Sequence, residues 1–112
     1  MPAEYSEYVR FVLDQLMRIG PISSGGFFGG VGLSVDAVQF AMVMDNRLYF
    51  VVAEADREKY ERAGMKPFSY STRKKQVIVR RYYEVPEDVL MDTDELRLWA
   101  REAITAAGTR RG

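Results

Sequence analysis

The stretch GGFFGGVGLSVDAVQFAMVMDNRLYFVVA, residues 25–53, carries the glycines that could cradle a phosphate. Gly25 and Gly30 have the spacing of a phosphate-binding loop, in which a following Lys and Ser/Thr reach the phosphates and magnesium. Val31 and Gly32 occupy those two positions, so that chemistry is missing. Gly30-Val31-Gly32 also lacks the third glycine of a dinucleotide fingerprint, because Val35 stands there. The segment runs into a strand pattern and not into a helix start, which removes the amide nest and dipole that hold an anion.

The acidic cluster Glu87, Asp88, Asp92, Asp94 and Glu95 invites a metal or acid–base reading. Two helix starts account for it, since carboxylates there complement the dipole and the unpaired amides. A calcium loop is excluded, because Leu96 follows and no glycine does. Ser23, Ser24, Ser34, Ser69 and Ser71 would each need an activating base, and the chain has no histidine. It has no cysteine either, which excludes disulfides, thiolate nucleophiles and zinc–thiolate sites and points to a cytoplasmic location. These residues assign no catalytic group, metal ligand or cofactor, so the expectation is a non-enzymatic protein.

Arg73, Lys74, Lys75, Arg80 and Arg81 are interleaved with Tyr70, Tyr82 and Tyr83. Cations beside stacking rings are how single-stranded nucleic acid is held. The same pattern describes a solvated hairpin tip and an alternating strand. With 16 basic and 16 acidic residues the chain also has no long-range field to attract a polyanion. Nucleic-acid contact stays open as an alternative to a protein-binding role.

The elements that must position these groups follow from periodicity. At 112 residues, 47% apolar and 29% charged, the chain reads as one globular domain over residues 1–112, with no apolar run long enough for a membrane span. Residues 2–19 predict a helix, with Tyr5, Tyr8, Val9, Val12, Leu16 and Ile19 at helical spacing and Gly20-Pro21 as its stop. Residues 22–26 read as a small-residue connector. Three strands follow, joined by two-residue turns at Asp36-Ala37 and Asp45-Asn46. Residues 54–63 predict a short helix stopped by Gly64. Strands 68–72 and 76–85 form a hairpin around the basic turn, and a short helical turn covers 86–91. A last helix is capped by Asp92 and Glu95, with Leu96, Trp99, Ala100, Ala103 and Ala107 on one face and Gly108 at its end. The order is α-β-β-β-α-β-β-α, an α+β fold in two layers: an antiparallel sheet with helices on one face.

Counting from the two turns assigns the faces. Val31, Leu33, Val35, Val38, Phe40, Met42, Met44, Tyr49 and Val51 fall together and are expected under the helices. The opposite face receives Gly30, Gly32, Ser34, Gln39, Ala41, Val43, Leu48, Phe50 and Val52. That face is too apolar for a fully solvated antiparallel sheet. Glycine in a strand marks a bulge or the close approach of another group. Three explanations fit: a bulge with internal packing, a small-ligand site, or a self-association and partner surface built from Gly30, Gly32, Ala41, Val43, Leu48, Phe50 and Val52.

The motifs Phe28-Gly29-Gly30-Val31-Gly32, Val35-Asp36, Phe40-Ala41, Leu48-Tyr49, Ala63-Gly64-Met65, Pro67-Phe68-Ser69-Tyr70, Tyr82-Tyr83-Glu84-Val85-Pro86 and Leu98-Trp99-Ala100, in this order, resemble the TfoX N-terminal domain family. The resemblance runs from about Gly25 to Ala107. Phe27 stands where methionine is usual, Ala37 where glycine is expected, and Val52 where lysine is typical. It implies an α+β domain of the order above and a role in cytoplasmic regulation of natural competence beside a cyclic-AMP-responsive transcription factor. It carries over no catalytic residue. The expectation is a regulatory interaction module, a homodimer with a further regulatory protein partner, without membrane association.

Overall fold

The computed structural model describes residues 6–109; the expected helical residues 2–5, Tyr5 among them, lie outside the described residues. Helix α1 spans Glu7–Gln15, and Ser6 starts it by accepting the Val9 amide at 3.2 Å. A 3-10 turn, Met17–Ile19, carries the chain to Gly20, whose φ of 112° ends the run. Six strands follow: β1 (Ser23–Phe27), β2 (Gly30–Val35), β3 (Val38–Met44), β4 (Arg47–Val51), β5 (Pro67–Ser71) and β6 (Gln76–Glu84). Helix α2 (Arg57–Arg62) lies between β4 and β5, and α3 (Glu87–Leu90) and α4 (Thr93–Thr109) close the described chain.

All neighbouring strands are antiparallel, in the order β1-β2-β3-β4-β6-β5. The expected α+β class and two-layer arrangement hold. The segment expected as a connector is instead strand β1, paired with β2 from Ser23↔Ser34 to Phe27↔Gly30. Its turn, Phe28-Gly29, has φ values of 48° and 84°. The turns at Asp36-Ala37 (52°, 65°) and Asp45-Asn46 (50°, 58°) share that left-handed geometry, which matches the twist of two-residue hairpins.

The register expected between β3 and β4 is observed, with Ala41 opposite Phe50 and Met44 opposite Arg47. Between β2 and β3 it holds only beside the turn. Ser34 faces Gln39 but Leu33 faces Ala41, so Phe40 is a bulge residue. The extra residue reverses the faces of everything after it. Ala41, Val43, Leu48 and Phe50, expected on the uncovered face, lie under the helices. Met42, Met44, Tyr49 and Val51, expected under the helices, lie on the other side. Gly30 and Gly32 keep their expected side, because they precede the bulge.

Helix α4 lies on β3 and β4, α2 lies on β6, and α3 packs on α4. Leu96, Ala100, Ala103 and Ala107 of α4 are buried, as their spacing predicts. Asp92 caps α4, accepting the amides of Asp94 and Glu95 at 3.1 and 3.2 Å. Ring contacts run through the core: Trp99 of α4 against Tyr60 of α2 at 4.8 Å, Tyr60 against Tyr83 of the sheet at 5.7 Å, and Phe40 against Phe50 within the sheet at 5.9 Å. The Tyr83 hydroxyl donates to Glu61 Oε2 at 2.7 Å, and Gln15 Nε2 ties α1 to the Leu90 carbonyl at 2.8 Å.

The core is rich in tyrosine, and this sets its response to alkali. Burial raises the hydroxyl pKa of Tyr8, Tyr49, Tyr60, Tyr82 and Tyr83, and at Tyr83 the bond to Glu61 and that carboxylate's charge add to it. The folded state thus disfavours phenolate, while an unfolded tyrosine ionises near 10. A raised folded pKa gives stability that is complete below pH 10 and is lost as the pH climbs above it. Melting temperatures measured between pH 7 and 11 should stay level through the lower part of that range and drop steeply at the top. A level profile to pH 11 would mean that these hydroxyls are not held in an apolar core.

Candidate functional site

The face turned away from the helices is concave. Both edge strands reach one groove: Phe27 from β1 and its turn residue Phe28 on one side, Phe68 and Tyr70 from β5 on the other. A flat sheet of this width would hold its edges roughly 24 Å apart, at about 4.8 Å per strand step, so the sheet curls around the groove. Met42 and Tyr82 are buried in its floor, and Met44 and Val79 complete its walls. The described lining residues all come from strands or from the Phe28-Gly29 turn, and the enclosed volume is about 490 Å3.

Two glycines make the floor possible. A Cβ on Gly30 would stand 2.2 Å from the Val43 carbonyl oxygen and 2.5 Å from Met44 Sδ, so Met44 lies flat over bare backbone. A Cβ on Gly32 would stand 2.5 Å from Gln39 Oε1. Gln39 uses that space to donate from Nε2 to the Tyr82 hydroxyl at 3.1 Å. The lining carries no formal charge, and its polar side-chain atoms are the hydroxyls of Tyr70 and Tyr82. Burial pushes the Tyr82 pKa up against the opposing effect of the Gln39 bond, so this hydroxyl is neutral at physiological pH.

Phe28 is the exceptional residue. Its side chain is 86% exposed, and its φ of 48° lies in the left-handed region that bulky side chains avoid. Two-residue turns of this geometry favour Asn, Asp or Gly at that position. The ring rests against Phe27 at 4.8 Å, at the lip of the groove. Sequence reasoning missed this turn: Gly29 suits it but Phe28 does not, and residues 22–26 read as a connector.

The residues expected to form a partner surface divide. Gly30 and Gly32 border the groove. Ala41, Val43, Leu48, Phe50 and Val52 are buried in the monomer's own core, with Ala41 and Phe50 wholly inaccessible. The expectation that they sit on an uncovered face is corrected by the Phe40 bulge.

The basic residues do not gather on one surface with free rings. Thr72 builds the turn, accepting the amides of Lys74 and Lys75 at 3.2 and 3.1 Å, and Arg73, Lys74 and Lys75 point into solvent. Arg80 acts on the Tyr83 hydroxyl, opposing the rise in its pKa, whereas Arg81 lies 5.9 Å from the ring of Tyr82. Tyr82 and Tyr83 are buried, which leaves Tyr70 as the accessible ring of the three. Among the described residues no group of three acidic, His or Cys side chains comes together to hold a metal, and no helix is long and apolar enough to cross a membrane.

Fold and groove together define an α+β domain whose curled antiparallel sheet keeps helices on its convex side and an apolar slot on its concave side. The family model of the TfoX N-terminal domain matches residues 14–107, and the chain belongs to that family. No curated protein matches the chain.

Proposed function

We propose that this TfoX N-terminal domain is a non-enzymatic docking module that recruits a regulatory protein partner through the concave groove, in cytoplasmic control of transcription of the competence type. The regulatory setting rests on family membership. The docking role rests on one observation: Phe28 combines a strained backbone with a fully presented aromatic ring at the mouth of an apolar slot. Each feature alone destabilises the monomer, by roughly 1–2 kcal/mol for the left-handed backbone. Such outliers persist where function requires them, and aromatic anchors beside apolar pockets dominate binding energy in protein interfaces. The lining offers no general base, nucleophile or cation for chemistry on a bound molecule. A small apolar ligand is the second reading, favoured by a volume inside the usual range of ligand pockets, roughly 300–1,000 Å3.

Replacing Phe28 by photoreactive benzoylphenylalanine keeps an aromatic ring in place and reports what covers it. Irradiation in the native cells should give a discrete protein adduct at this position, and the same probe at Arg73 should give none. A nucleic-acid adduct from position 73 with none from position 28 would transfer the function to the basic hairpin. Absence of any protein adduct at 28, together with thermal stabilisation by small apolar compounds, would favour the second reading.

A further inference from the structure

We infer that the segment docking at this groove is an extended acidic segment of a partner protein, added as a further strand to the free edge of β5; this rests on the docking role proposed above. Three observations lead there. The first is an unused backbone edge. Strand β5 ends the sheet. The Thr72 amide donates inward to the Lys75 carbonyl at 2.7 Å, and successive residues of an antiparallel ladder alternate in direction. The N–H and C=O groups of Ser69 and Ser71 therefore point outward, and no described residue pairs with them. A helix spends its backbone groups internally, whereas an extended segment offers them to an edge at every second residue.

The second is where that strand would lie. Phe68 and Tyr70 of β5 wall the groove, and the sheet curls so that β1 and its turn reach the same hollow. The next strand position beyond β5, one step of about 4.8 Å, therefore lies over the groove mouth, toward Phe28. Side chains of the added strand opposite Phe68 and Tyr70 would share their face and enter the groove. Those two residues must be apolar, because the lining is uncharged.

The third is charge. Lys66 precedes β5, and Arg73, Lys74 and Lys75 follow it. All four are exposed, and none has an ion-pair partner among the described residues. Cations at a sheet edge discourage indiscriminate pairing. They favour a segment whose carboxylates flank its apolar pair. The same charges oppose pairing of β5 with a second copy of itself: with Ser69 opposite Ser71, Lys74 faces Lys66 at both ends. The other edge, β1, has no charged residue to select a partner, and its Ser24 already interacts within the chain.

Three displayed libraries of peptides about nine residues long, selected on the full chain, separate the possibilities. The first alternates apolar and polar residues between acidic ends. The second alternates them between basic ends, and the third sets its apolar residues at helical spacing between acidic ends. The first should be enriched. A selected peptide should slow hydrogen exchange at the Ser69 and Ser71 amides. Methylating one alternate set of its amides should abolish binding, and methylating the other set should not. Ser71→Pro removes an outward N–H that the fold does not use. It should weaken the peptide about tenfold or more, and so should Arg73→Glu combined with Lys74→Glu. Should Ser71→Pro fail to fold, the methylated peptides decide the matter. Enrichment of another library, or of none, overturns the added strand, as does unchanged exchange at Ser69 and Ser71. Retardation of single-stranded nucleic acid that the double charge reversal removes, without peptide enrichment, would give the hairpin to nucleic acid. A dimer in light scattering that Ser71→Pro dissociates would give the edge to a second copy. A protein adduct at position 28 without enrichment of the first library would leave docking standing and remove the added strand alone.

Discussion

Phe50→Glu should abolish folding. Phe50 has no accessible surface, packs on Phe40 at 5.9 Å, and faces Ala41 on one neighbouring strand and Tyr83 on the other. Removing a buried phenylalanine costs about 3–5 kcal/mol. Enclosing an unpaired carboxylate costs several more. The sum matches or exceeds the whole stability of an ordinary domain, about 5–15 kcal/mol. The variant should show unfolded circular dichroism and no cooperative urea transition. Phe50→Leu, which keeps an apolar side chain, should fold with a loss of roughly 1–2 kcal/mol. The outcome discriminates because the register counted from the turns alone places Phe50 on the open face, where Glu would dissolve a dimer and leave the monomer intact. A folded, monomeric Phe50→Glu protein would restore that placement and remove the concave groove as the exposed side.

One residue separates the two placements. Asp36-Ala37 and Asp45-Asn46 were legible as turns because they sit between alternating apolar segments. Pairing next to each turn follows from that alone. Nothing local distinguishes Phe40 from its neighbours, and a bulge shows only in whether the resulting face makes sense. The count put Val43, Leu48 and Phe50 beside glycines on a supposedly solvated face, and that misfit was the legible sign of the bulge. Strand β1 was hidden for a different reason. Ser23, Ser24, Gly25 and Gly26 have poor strand propensity and no apolar alternation, and pairing with β2 overrides both. The helices were easier, since Asp92, Gly64 and the α4 stripe act through local capping and periodicity.

The groove could not be read from spacing at all. It exists because β1 and β5, far apart in sequence and at opposite edges of the sheet, are brought to one hollow by its curl. Its parts were nevertheless visible singly: the glycine-rich strand, the Phe27-Phe28 pair, and Phe68 and Tyr70. The glycines then change meaning. They serve neighbouring strands, and their fitness for a phosphate was never at issue once Met44 and Gln39 are seen lying over them.

This assigns unequal penalties to the two glycines, and Gly30→Ala should be the severe one. Its Cβ would meet the Val43 carbonyl oxygen at 2.2 Å, and Val43 is paired with Val31 in the adjoining ladder. Backbone cannot yield there without breaking pairs that position the whole β2–β3 hairpin. Overpacking against fixed atoms costs about 1–3 kcal/mol, occasionally more, while Ala returns roughly 0.5–1 kcal/mol of chain entropy relative to Gly. The net expectation is a loss of about 2 kcal/mol, with Met44 displaced from the groove wall. At Gly32 the obstacle is the end of the Gln39 side chain, at 2.5 Å from Oε1 and 2.8 Å from Cδ. Gln39 can swing aside for the loss of one hydrogen bond to Tyr82, about 1 kcal/mol, which the same entropy gain offsets. Gly32→Ala should therefore be nearly neutral. Urea midpoints of the two variants decide the matter: a clear drop for Gly30→Ala beside a small change for Gly32→Ala. Equal losses would mean that Gln39 is not free to move. No loss at Gly30 would mean that the β2–β3 register, and the groove wall built on it, is wrong.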